Sequence, residues 1–297
     1  MRWRLAEKIE CVKTLLFNSI TAWIDHRGGS KGAALAFYAL FSLAPILILA
    51  IAVAGYFFGT STAQAGLINE IRLITGVKGA DVVESLLKSA SNSNEGFVAT
   101  LIATVIMLVG ATTVFIELKA SLDEIWQNEV KPTKNQAVVA KISVINLMIK
   151  TRLLAFGLVL VLGLLLLITL VVSAMLGLLQ TYLSNLFQPV GFFFSFLSYT
   201  LPFVVIAILF AIIFKMLPNT PLSWRDVTSG AIFTAILFSI GKFVIGLYLG
   251  NSTILSGFGA AGSLVALLLW IYYSSQIFFF GAEFTRQYAL LHGSMKT

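Results

Sequence analysis

Residues Leu153–Leu176 read LLAFGLVLVLGLLLLITLVVSAML. A helix that crosses the hydrocarbon of a bilayer needs about 20 consecutive apolar residues, and this stretch supplies them without one charge. Five more stretches have the same character: Ala33–Phe58, Phe97–Ile116, Val190–Phe214, Ser229–Leu249 and Ala260–Phe284. Lys242 sits inside the fifth of the six in chain order. The expected fold is an all-α integral membrane protein with six transmembrane helices. Composition agrees, because only 11% of the 297 residues are charged, against about 25% in soluble domains. A surface so poor in charge needs lipid as its solvent.

Orientation follows from lysine and arginine, which concentrate on the cytoplasmic side. Arg2, Arg4, Lys8, Lys13, Arg27 and Lys31 precede the first span. Lys119, Lys131, Lys134, Lys141, Lys150 and Arg152 lie between the second and third, and Lys215 and Arg225 between the fourth and fifth. Arg286 and Lys296 follow the last. The opposite side holds only Arg72, Lys78 and Lys88. Both termini are therefore expected in the cytoplasm, and an even span count agrees by placing them on one side. On this reading the net charge of +7 is the cytoplasmic rim facing anionic lipid, and no nucleic-acid partner is expected.

The domain plan is residues 1–32 as a cytoplasmic amphipathic helix, 33–284 as the membrane domain (33–58, 97–116, 153–176, 190–214, 229–249 and 260–284), and 285–297 as a cytoplasmic tail. In the first segment Leu5, Ile9, Val12, Leu16, Ile20 and Trp23 recur at three- and four-residue steps, the mark of an amphipathic helix. It lies along the membrane surface or packs on the protein's own cytoplasmic loops, and enters the first span through Gly28-Gly29. No removable leader is expected, since charges interrupt the first 30 residues. The first external loop, Gly59–Gly96, carries a helical pattern at Leu67, Ile71, Ile74, Val82, Leu86 and Leu87 before the polar run Ser91-Asn92-Ser93-Asn94. One or two short helices are expected there.

Little in the sequence resembles a catalytic centre. His26 and His292 are the only histidines and lie near opposite ends of the chain. No metal-ligand spacing, phosphate loop or nucleophile elbow occurs, so neither an enzyme nor a cofactor is expected. Cys11, the single cysteine, excludes an intrachain disulfide and reads as a small apolar filler. Asp123, Glu124 and Glu129, with Lys119, read as a solvated helix face.

Polar groups within the spans are more informative, because lipid penalises them. Lys242 is either a functional group lining a cavity or a snorkelling or paired one. Ser239, Lys242 and Gly246 share a face. Tyr38, Ser42 and Pro45 share another, with Lys31 two turns away. Ser195, Ser198, Tyr199 and Pro202 form a third, and Tyr272, Gln276 and Glu283 a fourth. Each face lines a solute pathway or supplies interhelical hydrogen bonds. Glu117 and Glu283 are gating or ion-coupling groups, or interfacial anchors. Pro45 and Pro202 fall in the first helix of each three-helix half, and interrupted helices at matching places in inverted halves accompany transport sites.

Four stretches together resemble the YihY/BrkB family of bacterial inner-membrane proteins, formerly labelled ribonuclease BN. They are Ala33-Ala34-Leu35-Ala36-Phe37-Tyr38 through Ser42 and Pro45; Leu118–Trp126; Leu217-Pro218-Asn219 with Trp224-Arg225-Asp226; and Gly262–Glu283, with Leu269-Trp270 and Gly281-Ala282-Glu283. The chain departs from the family pattern at Ser256-Gly257-Phe258-Gly259. The resemblance implies a multi-pass protein of the bacterial inner (plasma) membrane, with transport, envelope lipid handling and serum resistance as the associated roles. The expected function is transport or export of an anionic or lipid-like solute; the alternative is a non-transporting protein that organises envelope lipids. The expected partners are membrane lipids, an unidentified small or lipid-like solute, and a second copy of the chain.

Overall fold

A computed structural model describes residues 2–91, 113–126, 190–218, 220, 222–251 and 261–295. Their regular structure is entirely helical. Helices α1 (Arg2–Asp25), α2 (Gly28–Phe58) and α3 (Thr60–Ser91) follow one another almost without loops. Residues 113–126 form α4. The chain continues in α5 (Val190–Met216), α6 (Trp224–Asn251) and α7 (Gly262–Leu291).

The breaks between the first helices have local causes. Arg27 adopts left-handed angles (φ 54°, ψ 43°) between α1 and α2, a conformation that costs a non-glycine residue energy. Gly59, at φ 85°, ends α2, and its N–H bonds to the carbonyl of Gly55. α3 is broken at Gly76, at φ 79° and ψ 178°, so the segment expected as a loop after the first span holds two helical pieces, Thr60 to Thr75 and Val77 to Ser91. Ala63, Leu67, Ala80, Val83 and Leu87 are the buried apolar residues of these pieces.

α7 is the post around which the described helices gather: α1, α2, α3 and α6 all pack on it, and α5 packs on α6. One apolar core lies among α4, α5, α6 and α7, with Trp126, Phe210, Phe214, Val227, Phe278 and Phe279 at its centre. A second, smaller one joins α2, α3 and α7 through Ala36, Leu67, Val83, Leu267 and Ile271. The α6–α7 crossing is set by reciprocal small residues. A methyl group on Gly281 would lie 2.1 Å from Thr234 Oγ1, and one on Gly230 would lie 1.8 Å from Thr285 Oγ1. Thr234 and Thr285 donate back to the carbonyls of Gly230 and Gly281, at 2.7 and 2.6 Å. Their hydroxyls are thus satisfied where the backbones approach.

α2, α5, α6 and α7 coincide with four of the expected spans. Of the other two, 97–116 reaches the described residues only at 113–116, and 153–176 lies outside them. Among the described residues, Trp224–Tyr248 and Gly262–Leu291 are long and apolar enough to cross a membrane, and Thr200–Met216 is a shorter apolar helix. The outward face of α6 carries Ile232, Ile236, Ile240 and Val244 at four-residue steps, all exposed. Such a row suits hydrocarbon rather than water. α7 runs to Leu291, past the expected boundary at 284, with Thr285 and Ala289 buried.

If close backbone approach fixes the α6–α7 crossing, Gly281→Ala destabilises the protein by about 1–3 kcal/mol, the usual cost of overpacking. Gly246→Ala, whose methyl meets nothing within 4 Å, serves as the control. Thermal unfolding in detergent checks this, and equal midpoints for the two variants would contradict the packing.

Candidate functional site

Several ionic groups of the described helices gather at one end of the bundle, where α2 and α6 begin and α4, α5 and α7 end; the charges of α3 and Lys242 on α6 lie away from it. The α1–α2 turn delivers His26 to this end. Its Nδ1 lies 2.6 Å from Oε1 of Glu283 on α7. Glu283 is 1% exposed. A lone carboxylate at such a depth is costly, and the imidazole supplies a short, charge-assisted contact. Oε2 of the same carboxylate has no hydrogen-bond partner among the described residues. Trp23 lies over Gly28, where a Cβ would come within 2.2 Å of its indole nitrogen. Near the middle of α1, Cys11 Sγ sits 3.0 Å from His292 Nε2. Leu15, Ser19 and Ala22 are buried between these two contacts. α1 is thus docked against α7.

Neighbouring pairs close the same end. Lys31 of α2 meets Glu124 of α4 at 3.0 Å. Lys119 binds Asp123 at 3.1 Å and donates to the carbonyl of Leu217 at 3.0 Å, one of the acceptors a helix end leaves unpaired. Lys215 donates to the carbonyl of Leu222, and its ammonium lies 5.5 Å from the centre of the Trp224 ring. Buried Asp226 accepts from Ser294 N at 3.0 Å and Ser294 Oγ at 2.6 Å, tying the start of α6 to the turn after α7. Away from this end, exposed Lys88 on α3 donates to Glu84 and keeps that carboxyl below the ordinary glutamate range.

Part of the sequence reading changes here. The Lys119–Asp123 face is not solvated: the two side chains are only 12% and 15% exposed, because they cap the end of α5. Glu124 is exposed as expected, and Glu129 lies outside the described residues. Cys11 is more than filler, since its thiol contacts a histidine.

The pathway candidates are dispersed. Ser42 is buried and donates to Ala39 O at 3.2 Å, while Tyr38 is half-buried on the same helix. Pro45 lies within α2, and Ser195, Ser198 and Tyr199 within α5. Pro202 is inside α5 as well. Gln276 donates to Gly29 O at 3.3 Å, and Tyr272 stands over the same glycine, so the structure does bring α2 and α7 together through polar groups. Ser239 bonds back to Ala235 O at 2.8 Å. Lys242 is half-buried on α6, beside Gly241, which packs on Tyr273 and Ile277 of α7. Glu117 is half-buried on α4. A cleft of about 340 Å³ opens between α1 and α7, lined by residues that include Phe17, Asn18, Thr21, Asp25, His26 and Arg286. Sequence reading had left that cleft out. Its two walls are some 260 positions apart in the chain, and no local spacing links them.

Long apolar helices gathered on one post, with a cluster of ion pairs at one end, suit a helical membrane protein. The residues behind the family resemblance converge on that end: Leu118, Leu122, Ile125 and Trp126, then Leu217, Asp226, Ala282 and Glu283, all of them buried. The family described as Virulence factor BrkB matches residues 19–294, and the chain belongs to it. A UPF0761 membrane protein of Pseudoalteromonas translucida is 26% identical over 276 residues, covering 90% of this chain and 83% of its own length. One from Verminephrobacter eiseniae is 31% identical over 181 residues, covering 61% of this chain. This chain spans only 39% of the V. eiseniae protein's length. A third, from Psychromonas ingrahamii, is 26% identical over 226 residues, 63% of this chain and 76% of its own. No solved structure matches.

The sole cysteine reports on α1. A charge-assisted contact contributes about 1.5–3 kcal/mol, so Glu283→Ala is expected to loosen α1 and speed alkylation of Cys11 by roughly tenfold or more. Glu117→Ala is expected to leave the rate unchanged. Equal rates in wild type and Glu283→Ala would show that the pair does not hold α1.

Proposed function

We propose that this protein is a six-span transporter or exporter of an anionic or lipid-like solute in the bacterial inner membrane, with both termini cytoplasmic, and that it is not an enzyme. The observation that carries the reading is Lys242. It lies half-buried within a helix whose outward row is isoleucine and valine, where an ammonium costs about 2.5–3.5 kcal/mol at mid-membrane. Such a group is most useful where it meets a phosphate or carboxylate. Its face holds Ser239 and Gly246, and a methyl on Gly246 would meet open space. Pro202 lies inside α5 and Pro45 inside α2, both of which run unbroken, so what the two prolines lend to the reading is the backbone carbonyl each leaves without its usual N–H partner.

A second reading has its own support. Ser42, Ser239 and Ser275 each satisfy their hydroxyl on their own helix, and Gln276 is wedged against Gly32. Polar faces used for packing suit a protein that organises envelope lipids without moving a solute. Ribonuclease activity, which the family's former label would suggest, is not proposed: the neighbouring acids Asp123 and Glu124 are paired with Lys119 and Lys31.

Lys242→Met is expected to abolish solute flux in reconstituted vesicles while monodispersity and thermal stability stay at wild-type values. Full flux in a well-folded Lys242→Met protein would remove the lysine from the mechanism. For the topology, cytoplasm-active reporters fused at either terminus are expected to fluoresce and periplasm-active ones to stay silent; the reverse at one end would require an odd number of spans.

A further inference from the structure

We propose that the cleft between α1 and α7 is a headgroup site for an aminophospholipid of the adjoining membrane leaflet. The site lies apart from Lys242 and does not rest on the transport reading. The cleft pairs opposite charges: Arg286 comes from α7 and Asp25 from the last residue of α1. A phosphoethanolamine headgroup carries the matching pair. The guanidinium fork suits its phosphate, and the Asp25 carboxylate suits the three N–H donors of its ammonium. Asn18 and Thr21 add hydrogen-bonding groups beside them. His26, whose Nδ1 is held by Glu283, also lines the cleft. At about 340 Å³ the cleft falls within the range of small-ligand sites.

The acyl chains also have a place. Phe17, Ile20 and Ile24 follow at three- and four-residue steps and are 70%, 48% and 61% exposed. Phe17 forms part of the cleft wall, so the apolar stripe begins where the headgroup would end. α1 has already spent its Leu15–Ser19–Ala22 face on docking, and this second apolar face fits the boundary between headgroups and acyl chains. A soluble zwitterion would leave the stripe uncovered. A purely anionic lipid would leave Asp25 facing a like charge, and a choline headgroup offers Asp25 no N–H.

The test is native mass spectrometry of the full-length protein after exchange into phosphatidylethanolamine, phosphatidylglycerol or phosphatidylcholine of identical acyl chains. The wild type is expected to retain phosphatidylethanolamine roughly tenfold better than the other two, the scale of one charge-assisted hydrogen bond. Asp25→Asn, a change at an exposed position, is expected to erase that preference while leaving phosphatidylglycerol retention intact or raised. Phe17→Ser is expected to lower retention of all three. Equal retention by the wild type, or a preference that survives Asp25→Asn, would overturn the proposal. Displacement of the lipid by equimolar soluble glycerophosphoethanolamine would overturn it too, by making the cleft a solute site.

Discussion

Helices surrounded by hydrocarbon gain little from pressing leucine against leucine, because lipid tails offer the same contact. What holds them is close approach, which multiplies dispersion contacts, and the absence of stranded polar atoms. The α6–α7 crossing meets both conditions in one motif. Gly230 and Gly281 let each backbone come up against the other helix's threonine, and each threonine hydroxyl is bonded within its own helix. The rest of the described structure depends on this crossing. α5 reaches α7's side of the molecule through α6, and α1, α2 and α3 are placed by their contacts with α7. The stack of Phe233 on Phe284, with ring centres 3.7 Å apart, flanks the same crossing within the turns that carry the glycines and threonines.

Charge distribution follows from the same solvent. An ion is tolerated near water or beside a partner, and the described helices use both. Lys31, Lys215 and Asp226 sit at helix ends, Lys119 lies against the end of α5, and all four are tied to carboxylates, carbonyls or hydroxyls there. Several of these bonds fill acceptors that an ended helix exposes, so they stop helices as well as join them. Glu283 is the exception in depth. It is the most deeply buried carboxylate described, and only one of its oxygens is matched, by His26. The docking of α1 thus combines this half-satisfied carboxylate with the Cys11–His292 contact and the buried Leu15–Ser19–Ala22 face.

Much of the fold was legible in the sequence, because hydropathy over a 20-residue window reports solvent directly. Ala33–Phe58, Val190–Phe214 and Ser229–Leu249 each fall inside a described helix, and the helical pattern of the first external loop became α3. The Gly76 break was not legible, since a glycine inside a helical pattern is usually tolerated. The site was harder still. His26 and Glu283 are 257 positions apart, and Asp226 and Ser294 are 68 apart; only tertiary packing pairs them. The Lys119–Asp123 error has the same root. An i,i+4 ion pair looks like solvated surface unless one knows that a neighbouring helix ends against it.

The polar faces that sequence reading grouped into one pathway lie against different neighbours of α7. Gln276 and Tyr272 face α2, while Tyr273 and Ile277, one position on in each case, face α6 near Lys242. α7 therefore stands between the two sets of polar groups. A solute could meet both only if α7 shifted or if the route passed around its end. Movement of α7 would strain the Gly–Thr crossing and the contacts of α1 together, because both are anchored on that one helix. Transport on this scaffold would thus couple the Lys242 face to the rim where His26 holds Glu283. A purely organising protein would have every reason to keep that post fixed.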